Sequence, residues 1–410
     1  MATANHPQQQ SHSSIPTNVP PDAVVSFDLY APGGLEQGLH NAWKALQAPH
    51  LPDLLWTTAN GGHWIPTRAQ LIGQFYRDHE TFSSNITHVP RERSHGNHPI
   101  PSTLDPPEHT KYRTLINPTL SPKAVRQIEP GIRSLAVSLI ETMKPKGKDD
   151  FVAGLASILP LQIFMDYARL PKQDLPNLTA IVQERIRPSG KLTAGQTLDM
   201  FRDYLRPYIV ERLNGDGEDI LSRLLRGKID NGPMPMEKAE LLCANLLIAG
   251  LDTVASMLGF SFHCLARSPA LQSVLASDPS RIPAAVEELL RRHAIVALAR
   301  VLTKDYNHNG VVMKQGDLVL LPTALAGLDE TLFPNPLEID LGRPRQESAA
   351  PFGLGVHRCP GSQLARLELR IVLEEWFARI PQFGLQPGAR VEFRSGIVGS
   401  VTRLPLQWPS

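Results

Sequence analysis

The sequence predicts a mainly α protein built as one large domain. Helical patterning dominates from about Ser121 to Arg300, strand signals are few and cluster in the C-terminal half, and no repeat or long linker divides the chain.

The clearest helix is expected from about Met236 to Arg267. It opens on Glu237 and Glu240, which suit the positive end of a helix dipole, and stops before Ser268–Pro269. At 1.5 Å per residue it would be roughly 48 Å long, enough to cross a large domain. Asn245, Asp252, Thr253 and His263 interrupt its apolar run. A charge near the centre marks a buried core helix rather than a membrane span. A second helix is expected from about Pro283 to His293, with proline in its first turn. A third should run from just after Cys359 to about Arg379. Val311-Val312-Met313 and Leu318 to Leu321 flank the turn-like Lys314-Gln315-Gly316, and Val391 to Val401 reads as two short strands around Ser395-Gly396. The segment His88 to Glu108 carries Pro90, Pro99, Pro101, Pro106 and Pro107. It is expected to be an irregular, partly mobile loop, of a length that is usually functional.

Residues 1–21 are rich in Gln, Ser, His, Asn and Pro and have no apolar stretch. They read as a disordered leader, neither signal peptide nor membrane anchor, before a single domain over 22–410. The 41 Lys and Arg balance the 40 Asp and Glu, so net charge gives no reason to expect nucleic acid or an anionic membrane as partner. Three cysteines, Cys243, Cys264 and Cys359, are too few for a disulfide scaffold and lack zinc-ligand spacing. A reducing, cytoplasmic setting is expected. Cys243 and Cys264 read as small core or helix-face residues, and His63, His95 and His98 form no metal constellation.

The strongest chemical signal is Phe352-Gly353-Leu354-Gly355-Val356-His357-Arg358-Cys359-Pro360-Gly361. Its glycines permit tight turns and close approach of a flat ligand. The loop delivers Cys359 to a helix start, which favours the thiolate. Glu288-Leu289-Leu290-Arg291 places a carboxylate and a guanidinium three residues apart on one helix face, with Glu287 and Arg292 as expected solvent-facing neighbours. In Ala249-Gly250-Leu251-Asp252-Thr253, glycine weakens the helix, a threonine hydroxyl can bond a carbonyl one turn back, and an ionisable group interrupts an apolar stretch.

Phe-x-x-Gly-x-x-x-Cys-x-Gly resembles the haem-binding signature of the cytochrome P-450 family, and the Glu-x-x-Arg and acid–alcohol pairs stand upstream in the family's order. The resemblance is closest to the bacterial camphor-hydroxylating subfamily and spans nearly all of the chain past the leader. It rests also on Asn60-Gly61-Gly62-His63-Trp64-Ile65, Asp105-Pro106-Pro107-Glu108, Arg281-Ile282-Pro283-Ala284-Ala285 and Ser395-Gly396-Ile397-Val398. It implies the cytochrome P-450 fold, a haem b ligated by Cys359, and propionate contacts from Arg113, Arg300 and His357. Leu298 stands where a relative has an acidic propionate contact, so one propionate is held differently. Glu288 and Arg291 would lie buried beneath the haem and order the cysteine loop. Thr253 would bond dioxygen at the haem while Asp252 passes protons inward, paired with Arg187.

The implied reaction is hydroxylation of a small apolar, terpenoid or norisoprenoid molecule with O2. Electrons would come from a [2Fe-2S] ferredoxin and its FAD-dependent NADH reductase, because the chain has no flavin or nicotinamide module. The docking face would be the cysteine side, with positive charge from Lys111, Arg113, Arg345, Arg358 and Arg366. Carried over by position, the pocket comprises His88, Asn97, Pro99, Asn245, Ile248, Val296, Ile397 and Val398. Asn97 replaces the tyrosine that donates to camphor, and His88 and Pro99 replace phenylalanines, so camphor is not the expected best substrate. Two bland readings stand beside these: His88 exposed, and Asn245 bonding a backbone group. A peroxide-driven haem enzyme and a non-catalytic haem sensor are the rival readings; neither needs the Asp252–Thr253 pair. Pro360 either initiates the helix or removes an N–H donor from the sulfur.

Overall fold

The computed structural model describes residues 14–96, 98–186 and 192–409. Its axis is the apolar stretch Met236–Ala266, 31 residues long and two-thirds buried. By length and composition such a helix could cross a membrane; here it is a core helix, mostly buried. It is two helices, Met236–Leu251 and Thr253–Ala266, meeting at Asp252, whose φ of −117° strays from the usual helical value while its ψ of −22° stays in the helical region. The expectation of one unbroken helix is corrected at that residue. The break coincides with a division of the interior. Ala239 to Leu251 contribute to a core shared with the helices Glu108–Thr119, Leu159–Tyr167, Leu175–Ile186 and Ala194–Leu213. Val254 to Ala266 contribute to a larger core shared with the sheet and with the helices Ile282–Arg292 and Ser362–Phe377.

The main sheet has six strands in the order Val24–Val25, Leu54–Thr57, His63–Pro66, Leu318–Pro322, Ala297–Leu302, Phe82–Ser83. Four of these strands come from the first hundred residues, where no strand was expected. Leu54-Leu55-Trp56-Thr57 and His63-Trp64-Ile65-Pro66 are buried at every position, so they lack the in–out alternation that marks a half-exposed strand. The two strands that flank Lys314-Gln315-Gly316, Val311–Met313 and Leu318–Pro322, do not pair with each other. Val311–Met313 pairs with Tyr306–His308, while Leu318–Pro322 runs antiparallel to Ala297–Leu302. The expected pair near the C-terminus is present as Glu392–Arg394 against Ser400–Arg403.

The ordered chain begins before residue 22. Val19 is buried in the larger core, and Asn18 Nδ2 donates to the Val312 carbonyl at 2.7 Å. The proline-rich segment is irregular, with one short 3-10 turn at Arg91–Ser94. It is nonetheless anchored: Val89, Ser94, Pro99, Ile100 and Thr103 are all buried.

Candidate active site

The loop that ends at Cys359 is shaped by contact with the helix Ala69–Arg77. Gly353 and Gly355 have φ of +66° and +68°, and a Cβ on Gly355 would meet the Tyr76 carbonyl oxygen at 2.4 Å. No side chain fits there. The Cys359 N–H closes the loop on the Phe352 carbonyl at 2.9 Å, and the Arg366 guanidinium lies 4.5 Å above the Phe352 ring. The thiol is half-buried. Burial pushes its pKa up; the Gly361 N–H and the charges of Arg113, Arg366 and Arg358 oppose that. The following helix starts at Ser362 with Gly361 as its N-cap, two residues later than expected, so Pro360 lies outside the helix.

Glu288 and Arg291 meet in a bidentate pair at 2.8 and 3.0 Å, both side chains buried. Arg291 also donates to the carbonyls of Gly327, Pro336 and Glu338 at 2.7–2.8 Å. Glu288 accepts from the Asp340 N–H and from Arg343. The pair ties the segment 327–343 to the helix Ile282–Arg292, upstream of the cysteine loop. The expected solvent-facing neighbours are otherwise engaged. Glu287 pairs with Arg366 and Arg345, and the half-buried Arg292 donates to the Leu337 carbonyl at 2.9 Å.

Cationic and imidazole groups gather on the other side of the loop. Arg113 Nη2 donates to the Arg358 carbonyl at 2.7 Å. Arg300 is 4% exposed. His357 packs on His109 with ring centroids 4.2 Å apart, and its Nε2 stands 3.9 Å from Asp105. Nε2 of both histidines is buried without a hydrogen-bond partner. Burial, followed by nearby guanidinium charge, drives both imidazole pKa values down. Buried imidazole nitrogens without a hydrogen-bond partner beside two guanidiniums suit an anion. His109 was missed by sequence reasoning, although it stands four residues before Arg113 and so shares its helix face. It supplies a further imidazole beside His357, where the Leu298 side chain has no polar atom to offer.

On the core helix, Asn245, Ile248, Ala249, Gly250 and Thr253 keep access, while Leu246, Leu247, Leu251 and Asp252 are buried. Asn245, Ile248, Ala249 and Thr253, spaced by three and four residues, share one helix face. Access concentrated on one face of a helix that carries both cores is what an internal ligand cleft produces. At its C-terminal end the Thr253 hydroxyl donates to the Ala249 carbonyl at 3.1 Å, and Ser256 donates to Asp252 at 3.3 Å. Arg187, the expected partner of Asp252, lies outside the described residues. Among the described residues Asn245 bonds no backbone group; its amide meets the Ser102 hydroxyl at 3.0–3.3 Å.

Val296 and Val398 form an antiparallel bridge, and Ala297 N–H bonds the Ile397 carbonyl at 2.9 Å, so the three apolar pocket residues from distant parts of the chain come together. His88 is half-buried, its Nδ1 2.9 Å from the Thr87 hydroxyl. Pro99 is buried and its carbonyl is capped by Thr103. Asn97 lies outside the described residues.

These features fit a haem b. Among the described residues no cluster of three or more His, Cys, Asp or Glu side chains could close a metal site. A single thiol therefore suits a metal that arrives with its other ligands already attached. The orphaned imidazole nitrogens suit carboxylates, and glycines open the backbone beside the thiol. The residues that would hold it are Cys359 at the iron and Arg113, Arg300, His357 and His109 at the propionates.

Fold and site together define a haem-thiolate protein. A cytochrome P450 family model matches residues 192–379. The chain is 32% identical to a probable cytochrome P450 127A1 of Sinorhizobium fredii, over 96% of this chain and 97% of the relative. The crystal structure of CYP101J2 superposes with a TM-score of 0.89 at 42% identity, covering 97% of this chain and all of the other. That of CYP101C1 gives 0.90 at 38% identity with the same coverage. The chain belongs to the cytochrome P450 family and is a haem-dependent monooxygenase.

Proposed function

We propose that this enzyme hydroxylates an apolar, terpenoid-sized molecule, inserting one oxygen atom of O2 and reducing the other to water. When bound, the haem supplies oxygen activation, driven by electron density from the Cys359 thiolate. The chain's own contribution is proton control and a dry pocket. Asp252, at the break, takes up protons from solvent, and Thr253 presents its hydroxyl on the accessible face. Val296, Ile397, Val398 and Ile248 supply an apolar wall that excludes water. The observation that carries this reading is the helix break at Asp252 beside that accessible face, because a haem protein without oxygen chemistry has no use for it.

The electrons come from a ferredoxin and its FAD-dependent NADH reductase. The docking face is the cysteine side, with less free positive charge than the residue count suggests. Lys111 is paired with Glu108 and Asp230, and Arg345 and Arg366 with Glu287. Arg358 and Arg113 carry the remaining field, which acts mainly on association rate and weakens with salt. Comparing product formed with NADH and a reconstituted donor pair against peroxide alone tests the reading. Product only with peroxide overturns it. A ferric spin-state titration over terpenoids and norisoprenoids tests the substrate class, and the absence of any high-spin shift overturns that part.

A further inference from the structure

We propose that Asn245, oriented by Ser102, anchors an oxygen atom carried by the substrate at the end remote from the oxidised carbon. This deepens the substrate reading above and rests on the same pocket.

An asparagine side chain offers two N–H donors and a carbonyl with two lone pairs. Both contacts that Asn245 makes go to one atom, the Ser102 Oγ, at 3.0 Å from Nδ2 and 3.3 Å from Oδ1. One hydroxyl facing the end of an amide satisfies at most one of these well, whichever way the amide is flipped. At least one further N–H is left to point into a half-buried, otherwise apolar face. An amide there costs free energy unless it finds a partner. Ser102 is itself fixed: the turn that presents it is closed by Thr103 N–H and hydroxyl on the Pro99 carbonyl and by Leu104 N–H on the Pro101 carbonyl. The donor is therefore held rather than free to rotate, which lowers the entropy cost of using it.

Position decides which part of the ligand it meets. Asn245 shares its helix face with Ile248, Ala249 and Thr253 and stands eight residues before Thr253, about 12 Å along the axis. A ligand reaching from the Thr253 end to the amide must carry its oxygen well away from the carbon that is oxidised. A ketone or alcohol on an extended ring-plus-chain skeleton meets that condition. A compact bicyclic ketone does not.

The test uses ferric holoenzyme and two pairs of ligands differing in one oxygen. The first pair is β-ionone and the hydrocarbon with the same carbon skeleton, read by spin-state titration. The second is 4-(4-hydroxyphenyl)imidazole and 4-phenylimidazole, which bind haem iron through nitrogen and make no assumption about the substrate. Asn245→Leu, which keeps helix propensity, is expected to lower the preference for the oxygenated member about tenfold in Kd ratio. Ser102→Ala should lower it less, because the amide remains. Equal weakening of both members, or a full preference retained in Asn245→Leu, overturns the anchor. Loss of preference in the imidazole pair with no response to either terpenoid supports the anchor and overturns the terpenoid reading instead.

Discussion

The Thr253 hydroxyl reaches back 3.1 Å to the Ala249 carbonyl, one residue beyond Asp252, where the core helix is interrupted. The bond diverts a helical acceptor to a side chain and holds the hydroxyl on the accessible face. Thr253→Ala removes the only side-chain donor that the reading places there. NADH consumption should continue within about threefold while product per NADH falls by roughly tenfold or more, the low end of the effect of losing a positioned proton donor. The missing equivalents should appear as peroxide, which a colorimetric assay measures. Thr253→Ser, which keeps the hydroxyl, should stay coupled; an equally uncoupled serine variant would make the methyl group the important part.

Arg291 satisfies one buried carboxylate and three carbonyls at once. Removing one partner of such a pair leaves the other buried and uncompensated, at a cost of about 3–5 kcal/mol. Arg291→Ala should express poorly or unfold at a clearly lower urea midpoint and retain little haem. Arg291→Lys should rescue it only weakly, because an ammonium cannot reproduce the planar fork. A lysine variant with wild-type midpoint and haem content would contradict this account.

The Glu288–Arg291 pair was legible because helical spacing alone brings residues three apart together, and the cysteine loop because its glycines and cysteine lie in one short segment. His109 could have been found by the same rule from Arg113. Other features depend on distant partners. The bond between Asn245 and Ser102 joins residues 143 positions apart, and Glu287 neutralises Arg366 across 79. No local pattern encodes either. The strands Leu54–Thr57 and His63–Pro66 stayed hidden because full burial erases their period. The break at Asp252 was half legible: Gly250 and Thr253 announced a loosened helix but not its position.

Acid should destabilise the fold through histidines held neutral. Burial pushes the ring pKa values of His40 and His63 down to about 3 and holds that of His293 well below its usual value. Between about 3 and the unfolded value near 6.5, the unfolded chain binds protons that the folded chain refuses, so stability rises with pH. The contribution is complete above that unfolded value and is lost as pH falls toward 3, by roughly 1.4 kcal/mol per pH unit for each ring. His40 Nε2 lies 2.9 Å from the Ala294 carbonyl, a contact that a glutamine amide can imitate. His40→Gln should reduce the slope of unfolding free energy between about pH 5 and 6 by roughly one proton, measured by urea titration. An unchanged slope would show that His40 is protonated in the fold.

Pro360 precedes the helix rather than opening it. The Gly361 N–H bonds the Cys359 sulfur and helps to lower its pKa, and the helix begins only at Ser362. The fixed φ of Pro360 thus serves the turn, and the first-turn role weighed from the sequence does not apply. What remains is the missing donor: a proline N cannot bond the sulfur that it adjoins in sequence. Pro360→Leu restores an N–H there. A donor withdraws charge from a thiolate and eases reduction of the metal it ligates. A net hydrogen bond of about 0.5–1.5 kcal/mol corresponds, at 59 mV per factor of ten for one electron, to a rise on the order of 20–60 mV in the Fe(III)/Fe(II) potential. Spectroelectrochemical titration of both proteins, substrate-free and at equal ionic strength, measures it. A potential that stays the same or falls in the leucine variant would mean that Pro360 acts on the backbone alone.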